Sequence, residues 1–148
     1  MTETSDIDLD LRRLTPSVRA VFRLTSERHT LDHLVQEIGL AGAKTWQRGE
    51  SVATFEVQRR THGWCLELPW RRTYMLDDAL SELLRMLLPF RDEIVDIARA
   101  LDLDAHFALE THMYEDRVPA GYLSPASVKA IASYGASLDV GIVPATAP

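Results

Sequence analysis

The stretch "SVRAVFRLTSERHTLDHLVQEIGL" (Ser17–Leu40) changes its apolar period halfway along, and that change decides the fold class. From Ser17 to Ser26, Val18, Ala20, Phe22 and Leu24 alternate with Arg19, Arg23 and Thr25, the pattern of a half-buried strand. From Leu31 on, Leu31, Leu34, Val35 and Ile38 recur at helical spacing. An N-cap is expected at Thr30 or Ser26, and Gly39 is placed to take the left-handed conformation that ends helices. A strand leading directly into a short helix predicts a mixed chain.

Toward the C-terminus, "VATFEVQRR" (52–60) and "WCLELPW" (64–70) are β-prone runs separated by Thr61, His62 and Gly63, which predicts a hairpin. Trp64, Leu66 and Leu68 share one face of its second strand, Cys65 and Glu67 the other. Pro69 closes the pairing because it has no N–H to give. A long helical stripe follows: Leu76, Leu80, Leu83, Leu84 and Leu87, then Ile94, Ile97, Ala98 and Leu101. Asp77 and Asp78 stand at its positive end, and Pro89 predicts a kink or two consecutive helices.

"AHFALETHMYE" (105–115) predicts another strand, with Phe107, Leu109, Thr111 and Met113 on one face and His106, Glu110, His112 and Tyr114 on the other. Ser124 before Pro125 marks a helix start, with Val128, Ile131 and Ala132 as its apolar side and Gly135 as its C-cap. "SLDVGIV" (137–143) predicts a last strand through Leu138, Val140 and Ile142. The order β-α-β-β-α-β, then α-β, predicts an α+β fold. Its core is expected to be ferredoxin-like, with helices on one face of a mainly antiparallel sheet, extended by a C-terminal helix and strand. Residues 1–15 are expected to form a loose acidic arm, 16–143 one globular domain, and 144–148 a disordered tail.

Composition narrows the function. With 148 residues, 46% hydrophobic and 26% charged, the chain suits one domain with a sizeable core. No apolar run reaches the roughly 18 to 20 residues of a membrane span, and Met1–Asp10 lacks the features of a secretion signal, so a cytoplasmic protein that binds no membrane is expected. A net charge of −6 disfavours binding to phosphate backbones, so nucleic acid is not an expected partner. The single cysteine, Cys65, can form no intrachain disulfide and reads as a small buried or half-buried hydrophobe rather than a reactive thiol.

Four further features bear on chemistry. All three tryptophans fall between Trp46 and Trp70. If the hairpin turns at Thr61–Gly63, then Trp46, Arg48 and Glu50 approach Trp70, Arg71 and Arg72 at its open end, while Arg59, Arg60 and His62 lie at the other. With Trp64, the set Trp46, Arg48, Glu50, Trp70 and Arg71 is a candidate ligand site, able to hold an anion or planar molecule by stacking and forked hydrogen bonds. The plainer reading is a core rim solubilised by arginines lying along the rings. His106, Glu110 and His112 on one strand, and His29 and His33 near one helix, would have to converge to give the three or four ligands that zinc takes; nothing in the sequence brings the two sets together, a solvated sheet face is the plainer reading, and no metal or other cofactor is expected. No nucleophile elbow or phosphate loop occurs, and Asp92, Glu93 and Asp96 read as a helix's outer face, so the chain is not expected to be an enzyme.

Together, the first strand with a helix ending "EIGL", "RGE" (Arg48–Glu50), "HGWCLEL" (His62–Leu68), the leucine-rich helix and "LSPASVKAIASYGASLDVGIV" (Leu123–Val143) resemble the bacterial family called domain of unknown function 4279. The resemblance covers Val18 to Val143 and departs from the family's pattern at Gly141 and Val143. It implies a small α+β domain and carries over no reaction or cofactor. Two functions remain as expectations. One is a non-catalytic interaction module, immunity-like or an adaptor, that binds another protein or its own copy by edge-strand pairing. The other is a small-molecule or anion sensor using the Trp/Arg cluster. A deep pocket between Trp46, Arg48, Trp64 and Trp70 would favour the sensor, and a flat surface over a fully buried Trp64 the interaction module.

Overall fold

A computed structural model describes residues 12–52 and 57–146. Strand β1 (Ser17–Ser26) sits at the middle of a six-stranded sheet of order β2-β3-β1-β5-β6, formed with β2 (Lys44–Trp46), β3 (His62–Glu67), β5 (Asp104–Tyr114) and β6 (Ser137–Ala145). A short β4 (Arg71–Arg72) pairs with Ser17 and Val18, continuing the line of β3 past Pro69. Every neighbouring pair is antiparallel except β5 and β6, which are parallel. The fold is α+β with a mainly antiparallel sheet.

The helices are α1 (Leu34–Ile38), α2 (Leu76–Leu87), α3 (Arg91–Ala100) and α4 (Pro125–Ser133). A 3-10 turn at Leu88–Phe90 separates α2 from α3, so Pro89 divides the long stripe into two helices as its missing N–H requires. Gly39 ends α1 at φ 74°, in the left-handed region. At α4, the Ser124 hydroxyl accepts the Ser127 N–H, the expected cap before proline.

One face of the sheet carries the core. Val18, Phe22, Leu24, Trp64, Phe107 and Leu109 meet Leu80, Leu83, Leu87 and Ile94 from the helices. Phe22 lies 4.8 Å from Phe107 and 5.4 Å from Tyr134 between ring centroids, in the tilted arrangements that aromatic quadrupoles favour.

Several expectations are corrected. The partner of β3 is Lys44–Trp46, not Val52–Arg60: Trp46 lies opposite Gly63, and Thr45 opposite Trp64. Residues 47–52 and 57–61 instead come together beside the sheet through the Ser51–Gln58 bridge and the Arg59 N–H donating to the Glu50 carbonyl. Part of the expected strand, 53–56, lies outside the described residues.

His33 rather than Thr30 precedes α1, and the Ser26 hydroxyl accepts the Arg28 and His29 N–H groups in a separate turn. In α4 the buried side is Ser127 and Ile131, followed by the C-cap Tyr134, while Val128 and Ala132 are exposed. Strand β6 extends through Pro144 and Ala145, which pair with Met113 and Tyr114. Residues 1–11 of the expected arm, and 147–148 of the tail, lie outside the described residues.

Candidate functional site

The pairing register places a second set of side chains on the face away from the helices. Arg19 stands opposite Glu110, Val21 opposite both Ala108 and Glu67, and Arg23 opposite both His106 and Cys65. Val21, Cys65 and Ala108 make a small apolar centre on this face, against which Trp46 packs from β2. None of the described helices packs against it. Residues that local alternation sends away from the core thus gather on the sheet face opposite the helices.

Charge on this surface is organised around Arg19. Its guanidinium reaches Glu110 at 2.6 Å and Glu67 at 3.6 Å, and Arg23 reaches the other Glu110 oxygen at 3.2 Å. Lys44 adds a 3.7 Å contact to Glu67. All of these groups keep solvent access, so each pair contributes little alone, but a network fixes side chains that would otherwise be mobile. The Arg19 Nε is buried without a hydrogen-bond partner.

A tryptophan marks each end of the surface. Trp70 stacks on His112 at 4.1 Å and 23°, and the Arg19 guanidinium stands 4.9 Å from the Trp70 ring. At the far end, Arg59 lies 4.5 Å over Trp46. Both arginines sit where a cation meets the negative face of an aromatic ring.

The predicted Trp/Arg cluster does not assemble. Trp46 is level with Thr25 of β1 through Gly63, whereas Arg71 pairs with Val18, seven residues earlier along β1. At the rise of a strand that separates them by about 23 Å. Trp64 is fully buried in the core, at 0% exposure.

The remaining members scatter. Arg71 turns to Glu82 on α2 at 3.2 Å, the Arg48 N–H donates to His62 Nδ1, and Glu50 is exposed. Of the six proposed residues, Trp46 and Trp70 share the open face, at its opposite ends. Sequence reading passed over Arg19, Arg23 and Glu67 as a site, although the alternation in Ser17–Ser26 already assigned both arginines to this face.

The histidines do not converge either. His106 Nδ1 bonds Ser137 at 2.7 Å, His112 stacks on Trp70, and His33 contacts Glu37 at 3.9 Å. Among the described residues no group of three His, Cys, Asp or Glu side chains is placed to hold a metal. Burial pushes the Cys65 thiol up, with Glu67 adding to it, so the thiol stays protonated and inert at neutral pH. Tyr114, on the strand face of His106, Glu110 and His112, is buried, with its hydroxyl on Ser17 at 3.0 Å and Arg72 over its ring.

No helix among the described residues is long and apolar enough to cross a membrane. No match to the chain is found among curated proteins or solved structures. A family model does match, over residues 16–143, nearly the whole span on which the sheet and helices lie. By that match the chain belongs to the family described as Domain of unknown function (DUF4279).

Proposed function

We propose that this chain is a non-catalytic interaction module of bacterial type that docks another protein on the uncovered face of its sheet, in the manner of an immunity protein or adaptor. One observation carries the reading: the surface between Trp46 and Trp70 holds a pre-ordered network of arginines and glutamates around a small apolar centre, on the sheet face against which none of the described helices packs. Tryptophan and arginine are the side chains that most often dominate binding energy, and side chains already fixed lose less entropy on docking. The buried, protonated thiol and the commitment of Glu67 and Glu110 to arginines support a binding role for this face.

Strand order β2-β3-β1-β5, antiparallel throughout, supports reading the core as ferredoxin-like, extended by α4 and β6. That topology serves enzymes, sensors and RNA binders alike, so the face and not the fold argues the function. The outer edge of β6 supports a second contact, pairing with a copy of the same chain. Val140 and Ile142 there are 48% and 47% exposed, and an unpaired strand edge invites addition of another strand.

The test is affinity purification from a native bacterial host with the wild-type chain and with Trp46→Ala/Trp70→Ala, using Glu93→Ala on α3 as a surface control. A partner retained by wild type and control but lost by the double variant supports the reading. A partner set unchanged by the double variant refutes docking on this face.

A further inference from the structure

Helices α2 and α4 run side by side in the same direction, bridged directly at one end and, at the other, through Arg91, the first residue of α3. At one end the Ser124 N–H donates to Asp77 at 3.1 Å. At the other, Arg91 Nε donates to the Ser133 hydroxyl at 2.9 Å. Between these bridges, α4 presents Ala126, Ser127 and Ala130, too small to reach Leu84 and Leu88 on the opposite side. The result is a slot of about 730 Å³, within the range of roughly 300 to 1,000 Å³ typical of small-molecule sites.

The slot has a polarity. Asp77 lies at one end, already engaged by Ser124. Arg85, Arg91 and Lys129 line the slot beyond it, Arg91 at the opposite end beside Ser133 and Lys129 midway along α4. Arg91 is held by Ser133 and Asp92. Arg85 and Lys129 are exposed and make no ion pair among the described residues, in a chain of net charge −6. Tyr134 lines the same slot. It is only 5% exposed, and its hydroxyl has no hydrogen-bond partner, although a buried hydroxyl ordinarily has one.

We infer that this slot binds a small amphipathic carboxylate, with its apolar body on Leu84, Leu88 and Ala130 and its anionic head toward Arg85 and Lys129. A head group entering beside Arg91 would supply the partner that the Tyr134 hydroxyl lacks. Bridges at both ends limit the length of the slot, which is open to solvent along its side. Its unpaired cations select an anion, and Asp77 orients it head-away. The site lies on the helical layer, apart from the proposed docking face, so the two readings stand or fall separately.

Isothermal titration of decanoate, kept below its micelle concentration, into the full chain tests this, with decanol as the uncharged comparison. The wild type should bind decanoate saturably at one site and decanol at least tenfold more weakly. Ala130→Leu, which fills the slot, should lose decanoate binding at least tenfold with its far-UV circular dichroism unchanged. Arg85→Glu/Lys129→Glu, whose changes are on the surface, should lose at least tenfold for decanoate while its decanol binding stays at the wild-type level. Absence of saturable decanoate binding, equal affinity for decanol, or wild-type affinity in the charge-reversed variant each overturns the inference. If Ala130→Leu fails to fold, the charge-reversed variant decides the question.

Discussion

The Trp46 indole closes over Gly63 so tightly that a Cβ on Gly63 would overlap its ring. Glycine is therefore required here for space, not for an unusual backbone angle. Gly63→Ala must push the indole off the apolar centre formed by Val21, Cys65 and Ala108. The expected cost is about 1 to 3 kcal/mol, the usual range for overpacking. Exposure of the thiol is the sharper readout: Cys65 should react with a thiol reagent markedly faster in Gly63→Ala than in the wild type. Trp46→Ala should raise the rate similarly, and the double variant should add little, because both act through one ring. An unchanged thiol rate in both single variants would refute the covering role of Trp46.

Trp64 is the largest fully buried side chain and sits edge-on to Phe22 at 6.2 Å. Its indole nitrogen is buried without a partner. Trp64→Ala should therefore destabilise by about 3 to 5 kcal/mol through the cavity it leaves. Trp64→Phe, which removes the unpartnered N–H while keeping an aromatic ring, should cost clearly less. Equal denaturation midpoints for the two variants would contradict this.

Much of this architecture follows from local rules. Alternation in Ser17–Ser26, the proline break at Pro89 and the Ser124–Pro125 start each reflect interactions within a few residues, and each element forms where those rules place it. Strand β2 does not follow from them, because three residues show no alternation and its position depends on Gly63 admitting the Trp46 ring from a distant part of the chain. In α4 apolar content pointed to Val128, yet Ser127 is the buried residue, with its N–H and hydroxyl both satisfied by Ser124. The site was partly legible for the same reason. Alternation assigned Arg19 and Arg23 to the open face, but the register that brings Glu67 and Glu110 to them, and holds Trp46 away from Trp70, is a long-range property.

Burial pushes the Tyr134 hydroxyl up to about 12, against the opposing pull of Arg91. The fold thus favours the neutral phenol. Its contribution to stability is complete below pH 10, the unfolded value, and is lost as pH rises from 10 through 12. In a spectrophotometric titration, one tyrosine should ionise near pH 12, and that late step should be missing in Tyr134→Phe. A late step that persists in the variant would assign it elsewhere.

Asp77 joins the start of α2 to the start of α4. Burial alone would raise its carboxyl, but hydrogen bonds from the Ser124 N–H and from the Ser127, Ser124 and Ser81 hydroxyls outweigh this and hold it below the usual carboxylate range. A depressed value in the folded state means that stability from Asp77 is present above the unfolded value, near pH 4, and is lost as pH falls below it. Asp77→Asn should therefore lower the melting temperature at pH 7, and the gap to wild type should narrow toward pH 3. Ser124→Ala removes the α4 cap and one of these donors together, and should cost about 1 kcal/mol or more. In the Asp77→Asn background the same change should cost less, since the two residues stabilise one junction. A melting-temperature gap between wild type and Asp77→Asn that stays constant from pH 7 to pH 3 would show that the carboxylate's charge plays no part in holding α2 to α4.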